Sequence, residues 1–271
     1  MTFADRKEPQ VELLPGIPSD LDAVSLTPTG AWVGVGGRAA ARELHFGGHR
    51  VRTSIACRSP LICALDSETA ALVDGRTTQR RPNAWVVRAD GERVGEFHAG
   101  DAVQSLAAIG GRLVVTHFDE GYGNPLHGAL AFDPTGELLL DYERDVPGAL
   151  TIVDCYAVAS VGRDSVLLLI YPDFPLAEVD LAARRQRVWD TPEAVHGAAA
   201  VSAAGPTVFF HGPYRDKGGV YAWTRGATAA ARVGEFAAPL KGLTGGWFLG
   251  RVGGQFARVR FAEAGLAAPA T

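Results

Sequence analysis

Clustered positive charge is missing from this chain. Lys and Arg number 26 against 30 Asp and Glu, interleaved throughout, for a net charge of −4 over 271 residues. Duplex nucleic acid is held by grouped cations that release counterions, so it is excluded as an expected partner. The nearest approach to a basic group, Arg80-Arg81 with Arg76 close by, reads as solvated surface. Cysteine is scarce too: Cys57, Cys63 and Cys155, with no Cys-x-x-Cys spacing. That argues against a disulfide framework and a structural zinc site. No apolar run approaches the roughly 20 residues a membrane helix needs. Residues 1–10 carry charges and no apolar core of a signal peptide. The expectation is a cytoplasmic, soluble monomer with no membrane partner. Long stretches of helical periodicity are also absent.

What is present is turn chemistry and short apolar runs. The 33 Gly and 16 Pro are spread along the chain. Runs of four to seven apolar or alternating residues recur, each followed by Gly, Pro, Asp or Asn. This is the pattern of many short strands joined by turns.

The strands repeat. Val94-Gly95-Glu96-Phe97 returns as Val233-Gly234-Glu235-Phe236, and the hairpin at Trp85 to Phe97 resembles that at Leu130 to Tyr142. Six strongly apolar strands follow one another: 31–35, 69–73, 113–116, 166–170, 207–210 and 247–251. Each is preceded by a quartet that opens apolar-variable-small. The variable residues are Asp22, Cys63, Gln104, Asp154, His196 and Lys241, in steps of 41, 41, 50, 42 and 45. Four strands per unit, six times over, predicts an all-β fold, a six-bladed β-propeller with four-stranded antiparallel blades. The last unit lacks an outer strand, and Val11–Leu14 is available to complete it and close the ring. A seven-bladed or irregular propeller and an all-β sandwich are the alternatives. The whole of 1–271 is one domain, with blades near 21–57, 61–98, 102–143, 152–190, 194–236 and 239–261 plus 10–15. A flexible tail at 262–271 is expected.

Phe118-Asp119-Glu120-Gly121, Asp154-Cys155-Tyr156-Ala157 and Asp173-Phe174-Pro175 resemble motifs of a family of uncharacterised bacterial, largely actinobacterial, propeller proteins. That family is WD40-like in general architecture. The resemblance is clearest over roughly residues 83–225. It implies the propeller fold and carries no activity with it.

Function is expected on one face. The turns on the opposite face are short and plain, as in Ala89-Asp90-Gly91 and Pro134-Thr135-Gly136. The loops after the second strands instead gather aromatic, histidine and charged residues. They read Asp74 to Thr78, with Arg76, and His117 to Asn124, with Asp119, Glu120 and Tyr122. Then come Tyr171 to Pro175, with Asp173 and Phe174, and His211 to Lys217, with Tyr214 and Arg215. His127 follows nearby. Loops on a rigid scaffold are where binding and catalysis concentrate.

The six variable residues are expected to ring the channel mouth at one height, with Asp154 beside His196 and Lys241 beside Asp22. Three chemistries compete. The first is a binding platform for a small molecule, peptide or protein, built on Tyr122, Tyr171, Phe174, Tyr214 and Arg215. The second is acid–base catalysis by an Asp154–His196 pair, with His117, His127 and His211 in support. The third is a divalent metal held by Asp22, Asp154, Gln104 and Glu120, as in lactonase-like hydrolases, or zinc through His196. No metal or other cofactor is assigned, because Lys241 places a cation in the same ring. A Cys63 nucleophile is disfavoured as a buried thiol. Binding at this face is the first reading, with a small-molecule enzyme at the same place as its alternative.

Overall fold

The computed structural model describes residues 8–77 and 81–262. Thr78, Arg80 and the tail beyond residue 262 lie outside the described residues.

Six four-stranded antiparallel sheets follow in sequence. The first has β2 (Ala23–Leu26), β3 (Trp32–Arg38), β4 (Ala41–Phe46) and β5 (His49–Arg52). The second has β6 (Pro60–Ala64), β7 (Thr69–Asp74), β8 (Ala84–Arg88) and β9 (Arg93–Phe97). The third has β10 (Val103–Ile109), β11 (Arg112–His117), β12 (Ala129–Phe132) and β13 (Leu138–Asp141). The fourth has β14 (Asp154–Val161), β15 (Ser165–Tyr171), β16 (Leu176–Asp180) and β17 (Arg185–Trp189). The fifth has β18 (Ala200–Ala204), β19 (Thr207–His211), β20 (Gly219–Thr224) and β21 (Ala231–Glu235). The sixth joins β22 (Lys241–Gly242), β23 (Trp247–Val252) and β24 (Gln255–Arg260) to β1 (Gln10–Leu13), the first strand of the chain. This is a six-bladed propeller closed by its N-terminal strand.

The packing explains the apolar runs. Each buried cluster draws on two neighbouring blades, one cluster for each of the six interfaces. The strand β15 shows how. Val166, Leu168 and Ile170 face the third blade, while Leu167 and Leu169 face the fifth. A second strand is therefore covered on both sides, and alternation gives way to a continuous apolar stretch. Each large side chain so buried contributes about 1.5–3 kcal/mol.

Closure is antiparallel, from Gln10↔Arg260 to Leu13↔Ala257. The Arg258 guanidinium fastens the seam. It donates to the Glu12 carboxylate from Nε at 3.1 Å and again from Nη2, and its far side lies over the Trp247 ring.

The inner strands are less uniform than their quartets suggest. Register shifts in β10, between Val103 and Ser105, and in β14, between Cys155 and Ala157, each set an extra residue in the strand. In the fifth blade the quartet Val195–Ala198 precedes the strand. A 3₁₀ turn over Glu193–Val195 occupies its start, and β18 begins only at Ala200.

Candidate functional site

The six variable residues do not form one ring, because their quartets begin at different depths along the inner strands. Asp154 pairs with Tyr171, the last residue of its second strand. Cys63 lies three positions further down than Pro60, which pairs with Asp74 at the corresponding end. His196 stands four positions before Ala200, the partner of His211. The central channel holds two stacked cavities. The upper, of about 190 Å³, is lined by Gln104 and Lys241 among others. The lower, of about 260 Å³, is lined by Cys63 and again Lys241. Asp22, Asp154 and His196 line neither.

The expected neighbours part company as well. Asp22 accepts from the buried Arg42 guanidinium at 2.6 Å, and that same arginine binds the Cys57 carbonyl at 2.7 Å. Lys241 instead reaches across the channel to the Ile62 carbonyl at 3.3 Å. The His196 ring Nε2 meets the Thr191 carbonyl at 3.2 Å rather than Asp154. Asp154 Oδ1 is buried with no hydrogen-bond partner.

The face where the second strands end, at Asp74, His117, Tyr171 and His211, carries the long loops. Several of its polar residues are engaged in bracing them. Arg76 pairs with Glu120 at 2.6 Å, approaches Asp101 at 3.8 Å and lies over the Phe118 ring. His117 is fully buried between the Gly128 and Ala99 carbonyls, and burial holds its imidazole down at about 4. It serves as a strut between the second and third blades. His211 is likewise buried against the Phe236 carbonyl at 2.9 Å, with its pKa lowered by burial. His127 Nε2 faces the Ile152 and Val153 carbonyls, while its ring meets exposed Tyr122 edge-on. Arg215 pairs with Glu193 at 2.7 Å in solvent.

One group remains assembled and open. Phe174 is buried at the foot of an aromatic bay between the fourth and fifth blades. Tyr156 meets it edge-on at 5.0 Å, Tyr214 edge-on at 5.5 Å, Tyr171 at 5.7 Å and His196 at 5.2 Å. The Tyr156 and Tyr214 hydroxyls hydrogen-bond across the blade boundary. Tyr171 and Tyr214 are among the exposed large hydrophobic residues. The turn that presents Phe174 is strained, since Asp173 (φ 66°) and Phe174 (φ 55°) both sit in the left-handed region. Gly197, at φ 71°, is required here because a Cβ would come within 2.5 Å of the Tyr214 ring. Tyr214 in turn carries the Lys217 ammonium 4.8 Å from its centroid.

Carboxylates complete the bay. Burial, and then the exposed Asp119 carboxylate on the third blade, push Asp154 up to about 6. Both carboxylates also raise the pKa of the Tyr156 phenol, behind the larger effects of burial and Tyr214, so the three share one electrostatic neighbourhood. Asp119, Asp154, Tyr171, Phe174, His196 and Tyr214 are thus brought together. Tyr156 is a member that sequence reasoning missed, and its signal was there in the Asp-Cys-Tyr-Ala motif.

The donors named for a metal do not converge. Among the described residues, no three His, Cys, Asp or Glu side chains are grouped so as to hold an ion. Glu120 is taken by Arg76 and Asp22 by Arg42. The three cysteines are free and buried, and burial raises the Cys63 thiol. Among the described residues no helix is long and apolar enough to cross a membrane.

No protein-family model matches the chain. No curated protein matches it either. Solved structures do. A streptogramin B lyase superposes with a TM-score of 0.51 at 8% identity, over 94% of this chain and 98% of that one. The PQQ-bound aldose sugar dehydrogenase of Streptomyces coelicolor superposes with a TM-score of 0.54 at 12% identity, over 94% and 99%. At such identities the likeness is one of fold, and the chain is similar to these proteins as one β-propeller is to another.

Proposed function

We propose that this propeller binds a ligand through a cationic group, in the bay formed by Tyr156, Tyr171, Phe174, Tyr214, Asp154 and Asp119. The ligand is a small molecule or a peptide side chain. The observation that carries the reading is Asp154 Oδ1, buried without a hydrogen-bond partner beside an open aromatic cluster. A buried carboxylate left without a partner is costly, and a bound cation supplies the counter-charge it lacks. Aromatic faces beside a carboxylate suit an alkylammonium, attracted by the ring quadrupoles as well as by the charge. Tetramethylammonium and a trimethyl-lysine peptide, titrated calorimetrically, are the probes. Binding of either is expected, weakened about tenfold or more by Asp154→Asn or Tyr214→Ala. Equal affinity in all three proteins would sink the reading.

The second reading is acid–base chemistry on a small molecule in the same bay. It is favoured by one observation, a carboxyl pushed up to about 6, where an acid and a base are both available near neutral pH. The two solved structures described above are of proteins named as enzymes, a lyase and a dehydrogenase. Turnover of an amine-bearing substrate that follows a carboxyl titration near that value, and is lost in Asp154→Asn, would support it.

A further inference from the structure

Among the described residues, the charge that lines the two cavities of the central channel is positive. The charged residues bounding them are Lys241 and Arg258, and among the described residues no carboxylate lines either cavity. This holds in a protein whose net charge is −4. Arg258 is neutralised by Glu12 at the closing seam. Lys241 is not neutralised: among the described residues it forms no ion pair, and its one hydrogen bond is the 3.3 Å contact with the Ile62 carbonyl. An ammonium has three donors; with one protein acceptor, burial lowers the Lys241 pKa and disfavours the charged form until a counter-charge is bound. The nearby thiol, Cys63, is held protonated by burial and offers no counter-charge.

Lys241 is fixed where it stands. It belongs to both cavities, at their junction, together with Leu106 and Gly242. The next residue, Gly242, lies so close to the fifth blade that a Cβ would fall 1.7 Å from the Val201 carbonyl oxygen. The lysine is therefore carried on a strand pressed to the channel wall. Above it the upper cavity is walled by small and aliphatic side chains, Leu61, Ala157, Val158, Ala199 and Ala200, with Gln104 as a further polar group. Its volume of about 190 Å³ is below the roughly 300–1,000 Å³ of sites for drug-sized ligands. Few donors and apolar walls suit a singly charged anion with a short hydrocarbon part. They do not suit phosphate, whose oxygens need many donors.

We propose that the upper channel is a binding site for a short-chain carboxylate, with its head on the Lys241 ammonium and its alkyl part against the alanine, valine and leucine walls. The site is separate from the aromatic bay, and neither reading depends on the other.

The test is calorimetric titration of the full chain with butanoate, butanamide, inorganic phosphate and chloride. Saturable binding of butanoate at one site per chain is expected, with butanamide weaker by about tenfold or more for want of the charge. Lys241→Met should weaken butanoate by about tenfold to a hundredfold and leave tetramethylammonium binding or its absence unchanged. Should that variant not fold, the wild-type protein decides alone. Nuclear Overhauser contacts from the butanoate methyl to the methyls of Ala157 and Ala199 are then expected. No butanoate binding, equal binding of butanamide, phosphate or chloride in preference to butanoate, or contacts elsewhere would each overturn the proposal.

Discussion

Asp154 sets the charge balance of the candidate site, and its protonation is a stability term as well. Its ordinary pKa of 3.8 is raised to about 6 in the folded protein, chiefly by burial. The folded state therefore takes up its proton more readily than the unfolded chain. The stability linked to that proton is fully present below pH 3.8 and lost as pH rises through about 6. Above that, the charged carboxylate costs about 1–2 kcal/mol, allowing for its partial exposure. Asp154→Asn should thus raise stability at pH 8 by about that much, and change it little at pH 4. Urea unfolding at the two pH values measures the difference; an equal effect at both would contradict it. What was legible at this scale was residue type. Asp154, His196 and Lys241 could each be picked out, but not their partners. A partner depends on depth along the axis to within a residue, and one bulge changes it. Asp22 found Arg42, which sits outside its own quartet, on an outer strand of the same blade.

Among the elements, the second strands were the plainest in the sequence, because burial on both faces leaves a continuous apolar run. The third and fourth strands showed themselves as hairpins with Gly-bearing turns. The bulges at Gln104 and Tyr156 left no trace in the apolar pattern, since an extra residue in a small-residue strand looks like any other. The segment Val195–Ala198, which leaves the 3₁₀ turn at Glu193–Val195, reads as an entry strand for a related reason: its apolar-variable-small pattern matches the other five. The turn from Tyr171 to Phe174 is the element most exposed to test. Its left-handed residues are held by the packing of Phe174 against three tyrosines and a histidine. Phe174→Ala should cost about 3–5 kcal/mol and release the turn. Chemical denaturation reads the first effect. The second should appear as a rise in Tyr171 and Tyr214 mobility by NMR relaxation, and unchanged relaxation would show that the turn is held by other contacts.

For the molecule as a whole, closure is the decisive contact. It joins Gln10–Leu13 to the last blade through four residue pairs and the Glu12–Arg258 ion pair. Deleting residues 1–16 should lower the melting temperature by roughly 10 °C or more. A scanning calorimetry trace that does not move would mean that the ring holds without its closing strand. The ring also explains why the fold was legible when the ligand was not. Six interfaces repeat one packing problem, so the sequence states its solution six times. The bay and the channel lysine each occur once, on two blades or at one depth, and no repetition marks them.

Closure has a consequence in time. Gln10 meets Arg260, so the first strand made must wait for nearly the last. At ribosomal speeds those 250 residues take roughly ten to fifty seconds to synthesise. Through that interval β1 is an unclaimed strand beside a growing, unclosed propeller, and both can be captured by a neighbouring chain. The half-exposed Leu13 and Val11 would then be surfaces offered to a chaperone, and crowded synthesis would yield rings closed by β1 of another molecule.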